Sequence, residues 1–147
     1  MLTPGVCSRS SLLLENMLYN IYYSFMTHYS MKEIIKETGL TSDTLRYYEK
    51  DGLLSDILRL PNGHRRYSNH DLEWLKFILC LRSTGMPLKN IKKYKELMNL
   101  GDKTTSQRKE ILTNQKLSIL NEMEVLKEAL ERIDWKIEYY ESVEANL

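Results

Sequence analysis

From Leu112 to Tyr140 the chain steps by alternating threes and fours through Leu112, Lys116, Ile119, Met123, Leu126, Leu130, Ile133, Ile137 and Tyr140, and Lys116 is the one polar member. Four heptads with an apolar seam predict a coiled coil. A stripe this narrow is not satisfied by a lone helix in water, so a second helix has to cover it. Two partners are open: the same helix of a second copy, which makes a homodimer, or the N-terminal half of the same chain. The homodimer is the working expectation. Thr104 and Gln107 have capping-box spacing at the start of this helix. The expected dimerisation helix is therefore 104–147, behind a short polar linker at 99–103.

Upstream, local signals outline two short helices and a hairpin. Ser30-Met31-Lys32-Glu33 has the spacing of a capping box, and Met31, Ile34 and Ile35 keep helical period until Gly39 stops it. Thr41 caps a second helix, Ser42 to Lys50, closed by Gly52. Two short helices across a tight glycine-containing turn read as helix-turn-helix. Asn62-Gly63 between short extended runs predicts a hairpin on a type I′ turn, which needs positive φ at both residues. Ser68 and Asp71 open another helix running to about Ser83; Gly85 breaks it, Pro87 is placed as a first helical residue, and a further helix runs to about Met98. The expected architecture is mainly α: a winged helix-turn-helix DNA-binding domain at 29–98, followed by the coiled-coil helix.

Charge is uneven along the chain. Ser30 to Met98 carries thirteen Lys/Arg against nine Asp/Glu, and Asn99 to Leu147 seven against ten. A basic front and an acidic back fit an anion-binding module joined to a solvated one. Two distant cysteines, Cys7 and Cys80, and three histidines argue against a disulfide framework or a Cys/His zinc cluster and for a reducing cytoplasm. No run of about 18 apolar residues is present, so no membrane span is expected. For residues 1–28 two readings stand: an overlong start with translation beginning at Met26, or a partner-binding extension. Cys7 is set aside for that reason.

A helix-turn-helix places its second helix in the major groove, so Ser42, Thr44 and Arg46 are expected to meet DNA. Arg46 is the strongest candidate, because a guanidinium grips a phosphate or reads guanine bidentately. Leu45 and Tyr48 have the spacing for burial. In the hairpin Arg65 and Arg66 alternate faces, and Arg59 lies across the turn as a third cation. Such contacts position a protein on DNA and make binding salt-dependent.

Read as a string, Tyr29 to Met98 resembles the MerR family of bacterial transcription regulators. The resemblance rests on Tyr29-Ser30-Met31-Lys32-Glu33, Gly39-Leu40-Thr41, Thr44-Leu45-Arg46-Tyr47-Tyr48-Glu49-Lys50, Gly52-Leu53-Leu54, the wing segment Asn62 to Tyr67, and Asp71-Leu72. It implies a phosphate contact from Tyr47. His64, also a candidate DNA contact in the wing, stands where the family commonly has tyrosine, and Pro87 where it commonly has Ser or Thr, which changes a cap. The resemblance further implies a homodimer on double-stranded DNA, an antiparallel coil, and a palindromic operator inside a promoter. That promoter is bent and untwisted so that RNA polymerase engages it; the polymerase is thus a partner only through the DNA.

For the signal, metal-sensing relatives carry paired cysteines near the coil and a Cys- or His-bearing loop after it, whereas here no cysteine follows Cys80 and no histidine follows His70. Drug-sensing relatives carry a large C-terminal domain, and this sequence ends at Leu147. No metal, cofactor or catalytic residue is expected; an enzyme would find only His64 and His70 as partners for Cys80. Cys80 falls on the polar arc of its helix, among Glu73, Lys76, Ser83 and Thr84, and Lys76 and Arg82 would favour the thiolate. The segment Trp74 to Arg82, with Gly101 to Thr104 and Arg108-Lys109, is similar to a single-cysteine branch of the family that responds to aldehydes and other electrophiles. Cys80 with Lys76 is therefore the candidate sensor. An inert helix cysteine, with an unknown effector, is the other reading, and a coiled-coil adaptor a third.

Overall fold

The local signals around Ser30 and Thr41 set the geometry of the N-terminal part. A computed structural model of the chain describes residues 28–147, so Cys7, Met26 and nearly all of the extension expected at 1–28 lie outside the described residues. The described residues divide into two units, the first ending at Leu81 and the second spanning Arg82–Leu147.

In the first unit a short strand β1 (His28–Ser30) runs straight into helix α1 (Met31–Thr38). The Glu33 N–H donates to Ser30 Oγ, and the Ser30 N–H donates to the Glu33 carboxylate at 2.7 Å, completing the capping box. That carboxyl is held below its ordinary range first by the Ser30 backbone N–H and then by the hydroxyl. Gly39 ends the helix at φ 71°, a left-handed cap that costs glycine nothing. Helix α2 (Ser42–Lys50) starts on Thr41, whose side chain accepts from the Thr44 N–H. Leu45 and Tyr48 are buried, as their spacing predicted, which turns Arg46 and Tyr47 outward.

Strands β2 (Leu58–Arg59) and β3 (Arg65–Ser68) form the wing, and the sheet order is β1-β3-β2, antiparallel throughout. The register pairs Ser30 with Arg66 and Arg59 with Arg65. The expected type I′ turn is not what connects the wing. Gly63 has φ 82°, but Asp56 is the one non-glycine residue with positive φ among the described residues, so Asn62 does not share it. The reason is Pro61, which has no N–H to pair with His64. The pairing moves out one residue, Leu60 N–H donating to the His64 carbonyl and Gly63 N–H to the Leu60 carbonyl. The loop is thus Pro61-Asn62-Gly63, with the left-handed glycine last.

Helix α3 (Asn69–Ser83) opens on the predicted Ser68–Asp71 box. It buries Leu72, Trp74, Leu75, Ile78 and Leu81, which with the buried Ile34, Leu45, Leu53 and Leu54 make up the core of this unit.

In the second unit Met86 and Ile91 are buried, and helix α4 (Leu88–Asn99) packs on helix α5 (Thr105–Glu144). Pro87 occupies the cap position rather than the first helical one, and supplies no side-chain bond. Instead of a plain linker, residues Asp102–Thr104 form a 3-10 turn. The Thr104–Gln107 capping box is also absent. The Thr104 side chain is turned inward, its hydroxyl donating to the carbonyls of Leu97 at 2.6 Å and Gly101 at 2.8 Å. Gln115 reaches back to the Thr84 carbonyl at 2.8 Å. Leu112 and Ile119 are half-buried, but Met123, Leu126, Leu130, Ile133, Ile137 and Tyr140 are 49% to 63% exposed in the single chain. The seam beyond Ile119 is left uncovered.

Candidate nucleic-acid interface

A groove of about 370 Å³ opens between the start of α1, the middle of α2 and the wing, lined by Ser30, Met31, Lys32, Arg46, Gly63, His64, Arg65 and Arg66. Four residues expected to meet DNA converge here: Arg46, His64, Arg65 and Arg66. Lys32 joins them and was not anticipated from sequence. It is carried in by the β1–β3 register, which sets Ser30 beside Arg66. No spacing along the chain reports that pairing; only the exposed lysine just after a helix cap hinted at it.

Ser42, Thr44, Tyr47 and Arg59 lie outside this groove. Thr44 is half-buried, its hydroxyl 2.9 Å from that of Thr41. Tyr47 is half exposed, its ring tilted against Tyr48. Arg46 makes a 3.4 Å contact with Asp43 on an exposed surface, a pairing too weak to withhold it.

Arg59 and Arg65 are engaged differently. Glu49, in the last turn of α2, accepts from Arg59 Nη2 at 2.7 Å and from Arg65 Nε at 2.5 Å. Partial burial would push its carboxyl up, but the hydrogen bonds from Arg65 and Arg59 outweigh that and hold it below its usual value. Sequence reading passed over Glu49, because its partners are ten and sixteen residues away.

Cys80 presents an exposed thiol on α3, on the polar arc expected for it. Lys76, one turn earlier, is bonded to Glu73 at 3.0 Å, and that bond first of all raises the ammonium's pKa. Among the described residues no cluster of His, Cys, Asp or Glu is placed to hold a metal, and no helix is long and apolar enough to cross a membrane.

A helix-turn-helix whose second helix and wing share a cationic groove defines a DNA-binding protein. The comparisons with known proteins agree. The model of the MerR HTH family regulatory proteins matches residues 29–97, and that of the MerR DNA-binding region matches 72–136. An uncharacterized HTH-type transcriptional regulator of Haemophilus influenzae is 34% identical over 117 residues, 80% of this chain and 87% of that one. The HTH-type transcriptional regulator AdhR of Bacillus subtilis is 35% identical over 91 residues, 62% of this chain and 65% of its own length. The crystal structure of HiNmlR, a MerR family regulator lacking the sensor domain and bound to promoter DNA, superposes with a TM-score of 0.72 at 34% identity, over 81% of this chain and 90% of that one. A MerR family regulator from Bacillus thuringiensis gives 0.65 at 32% identity, over 76% and 97%. The chain belongs to the MerR family. It is a DNA-binding transcriptional regulator and not an enzyme.

Proposed function

We propose that this regulator works as a homodimer on a palindromic promoter operator, and that it responds to aldehydes or other thiol-reactive electrophiles through Cys80. The observation that carries the DNA-binding part is the groove joining Lys32, Arg46, His64 and Arg66. Arg46, with Ser42 and Thr44 beside it, faces base edges, while Lys32, His64, Arg66 and Tyr47 take phosphates. Arg59 and Arg65 stand beside the duplex, paired to Glu49 rather than to phosphate. The heptad seam exposed on α5 supports the homodimer, since an apolar stripe of that length is covered by a like helix. Two heads held at fixed spacing then bend and untwist the promoter for RNA polymerase, at a deformation cost set by its sequence.

For the signal, the exposed Cys80 thiol supports electrophile sensing: addition of the thiol to an aldehyde, or its alkylation, adds bulk on the polar face of α3. HiNmlR is described as lacking the sensor domain, and its likeness over most of both chains supports a signal received within these two units. The test is in vitro transcription from the bound promoter, with wild type and Cys80→Ala, with and without a reactive aldehyde. Induction that vanishes in Cys80→Ala is the expected result. Equal responses in both proteins, or none in either while DNA is bound, leave a MerR regulator with a different effector.

A further inference from the structure

Arg59 and Arg65 face each other across the wing in register, an arrangement in which like charges repel. What reconciles them is one carboxylate. Glu49 reaches out from α2 and gives one oxygen to each guanidinium, at 2.7 and 2.5 Å. Glu49 and Arg65 side chains are 23% and 20% exposed, while Arg59 is 49% exposed and is the one a polyanion would reach first. The same contact joins the helix that carries Arg46 to the hairpin that carries His64 and Arg66.

We propose that Glu49 is a positioning and specificity-determining residue for DNA binding: it fixes the wing to α2 and withholds Arg59 and Arg65 from phosphates. This rests on the reading that the wing meets the DNA backbone. Affinity for any duplex, whatever its sequence, follows the number of cations available to phosphate. A carboxylate that occupies two of them lowers that background for every sequence alike. By keeping the wing at one distance from Arg46, it also makes base and phosphate contacts fall into place together only on the right duplex. Specificity is the difference between those two affinities.

The experiment measures affinity against salt for two duplexes: one selected by the wild-type protein from a random pool, and a scrambled version of it. Glu49→Gln keeps the side chain's shape and loses its charge. It is expected to steepen the log–log salt slope on the scrambled duplex by roughly 0.9 per released arginine, which is about 3.5-fold more affinity lost between 50 and 200 mM salt. At low salt the scrambled duplex is bound more tightly than by wild type, and discrimination between the duplexes falls. Glu49→Asp retains the charge and is expected to restore the wild-type slope. An unchanged slope in Glu49→Gln, or an equal loss of affinity on both duplexes, overturns the assignment. Should Glu49→Gln fail to fold by circular dichroism, Arg59→Gln alone decides. A slope at the wild-type value supports a withheld arginine, and a slope lower by roughly 0.9 overturns it. Wild-type binding that ignores salt would instead remove the phosphate reading itself, and the assignment with it.

Discussion

The indole N–H of Trp74 donates to the carbonyl of Leu53 at 2.7 Å inside the core. Leu53 follows α2, where its own N–H and that of Leu54 both donate to the Tyr48 carbonyl, so α3 holds the exit of the DNA-facing helix through one buried bond. Trp74→Phe would leave that carbonyl without its donor. A loss of about 1–3 kcal/mol is expected from the stranded group, before any cost of lost volume. Chemical denaturation would read it, and a change within about 0.5 kcal/mol would mean that the bond is replaced by water.

The groove separates two kinds of contact. Lys32→Gln and Arg66→Gln are each expected to weaken binding to a selected and a scrambled duplex alike, lowering the salt slope by roughly 0.9. Arg46→Ala is expected to lower preference for the selected duplex by about 1–3 kcal/mol, if it reads a base edge. Fluorescence anisotropy at several salt concentrations distinguishes them. A uniform loss in Arg46→Ala would make it one more phosphate contact.

What was legible in the chain was what depends on near neighbours. Ser30 with Glu33, Thr41 with Thr44 and Ser68 with Asp71 are spaced three apart, and each forms the bond its spacing predicts. Leu45 and Tyr48 are likewise three apart and buried together. Two of the missing pieces depend on tertiary partners, and a third on a neighbouring proline. Lys32 enters the groove because β1 pairs with β3, and β1 is only three mainly polar residues long, too short to show a period. Glu49 gains its two partners, ten and sixteen residues away, only when the hairpin folds over α2. At Asn62-Gly63 the dipeptide was right for a hairpin, but Pro61 beside it changed which residue carries the turn.

Glu49 also makes the wing acid-sensitive. Its folded carboxyl is held below the ordinary value of 4.5, so it contributes stability that is present above the unfolded pKa and is lost as pH falls through the folded one. Thermal melts of wild type are therefore expected to fall more steeply than those of Glu49→Gln as pH drops below 4.5. Parallel curves would mean that the ion pair adds nothing beyond what exposed charges give.

The heptad seam predicts an association defect that depends on which side of α5 is changed. Leu126 is on the seam and Val125, equally exposed, is beside it. Leu126→Glu buries a charge wherever two seams meet, which is costly without a partner. It is expected to shift sedimentation equilibrium from dimer to monomer and to reduce DNA affinity with it, while Val125→Glu leaves the dimer intact. Dissociation by Val125→Glu, or a dimer surviving Leu126→Glu, would place the contact on another face.

Thr104 tests whether a helix start is read from residue type or from its partners. The sequence spacing makes it a cap for α5, but its hydroxyl donates to the Leu97 and Gly101 carbonyls at the end of α4. These alternatives predict opposite effects for a better capping residue. Thr104→Asp would improve a cap, since aspartate accepts well from helix N–H groups. It has no proton to donate at neutral pH, so two carbonyls would instead meet a carboxylate in a nearly buried place. We expect Thr104→Asp to destabilise the protein more than Thr104→Val, which loses about 1–3 kcal/mol by stranding the acceptors. Gln107→Ala, which would break a capping box, should change little. Denaturant unfolding of the three variants decides it, and a Thr104→Asp protein more stable than wild type would restore the cap.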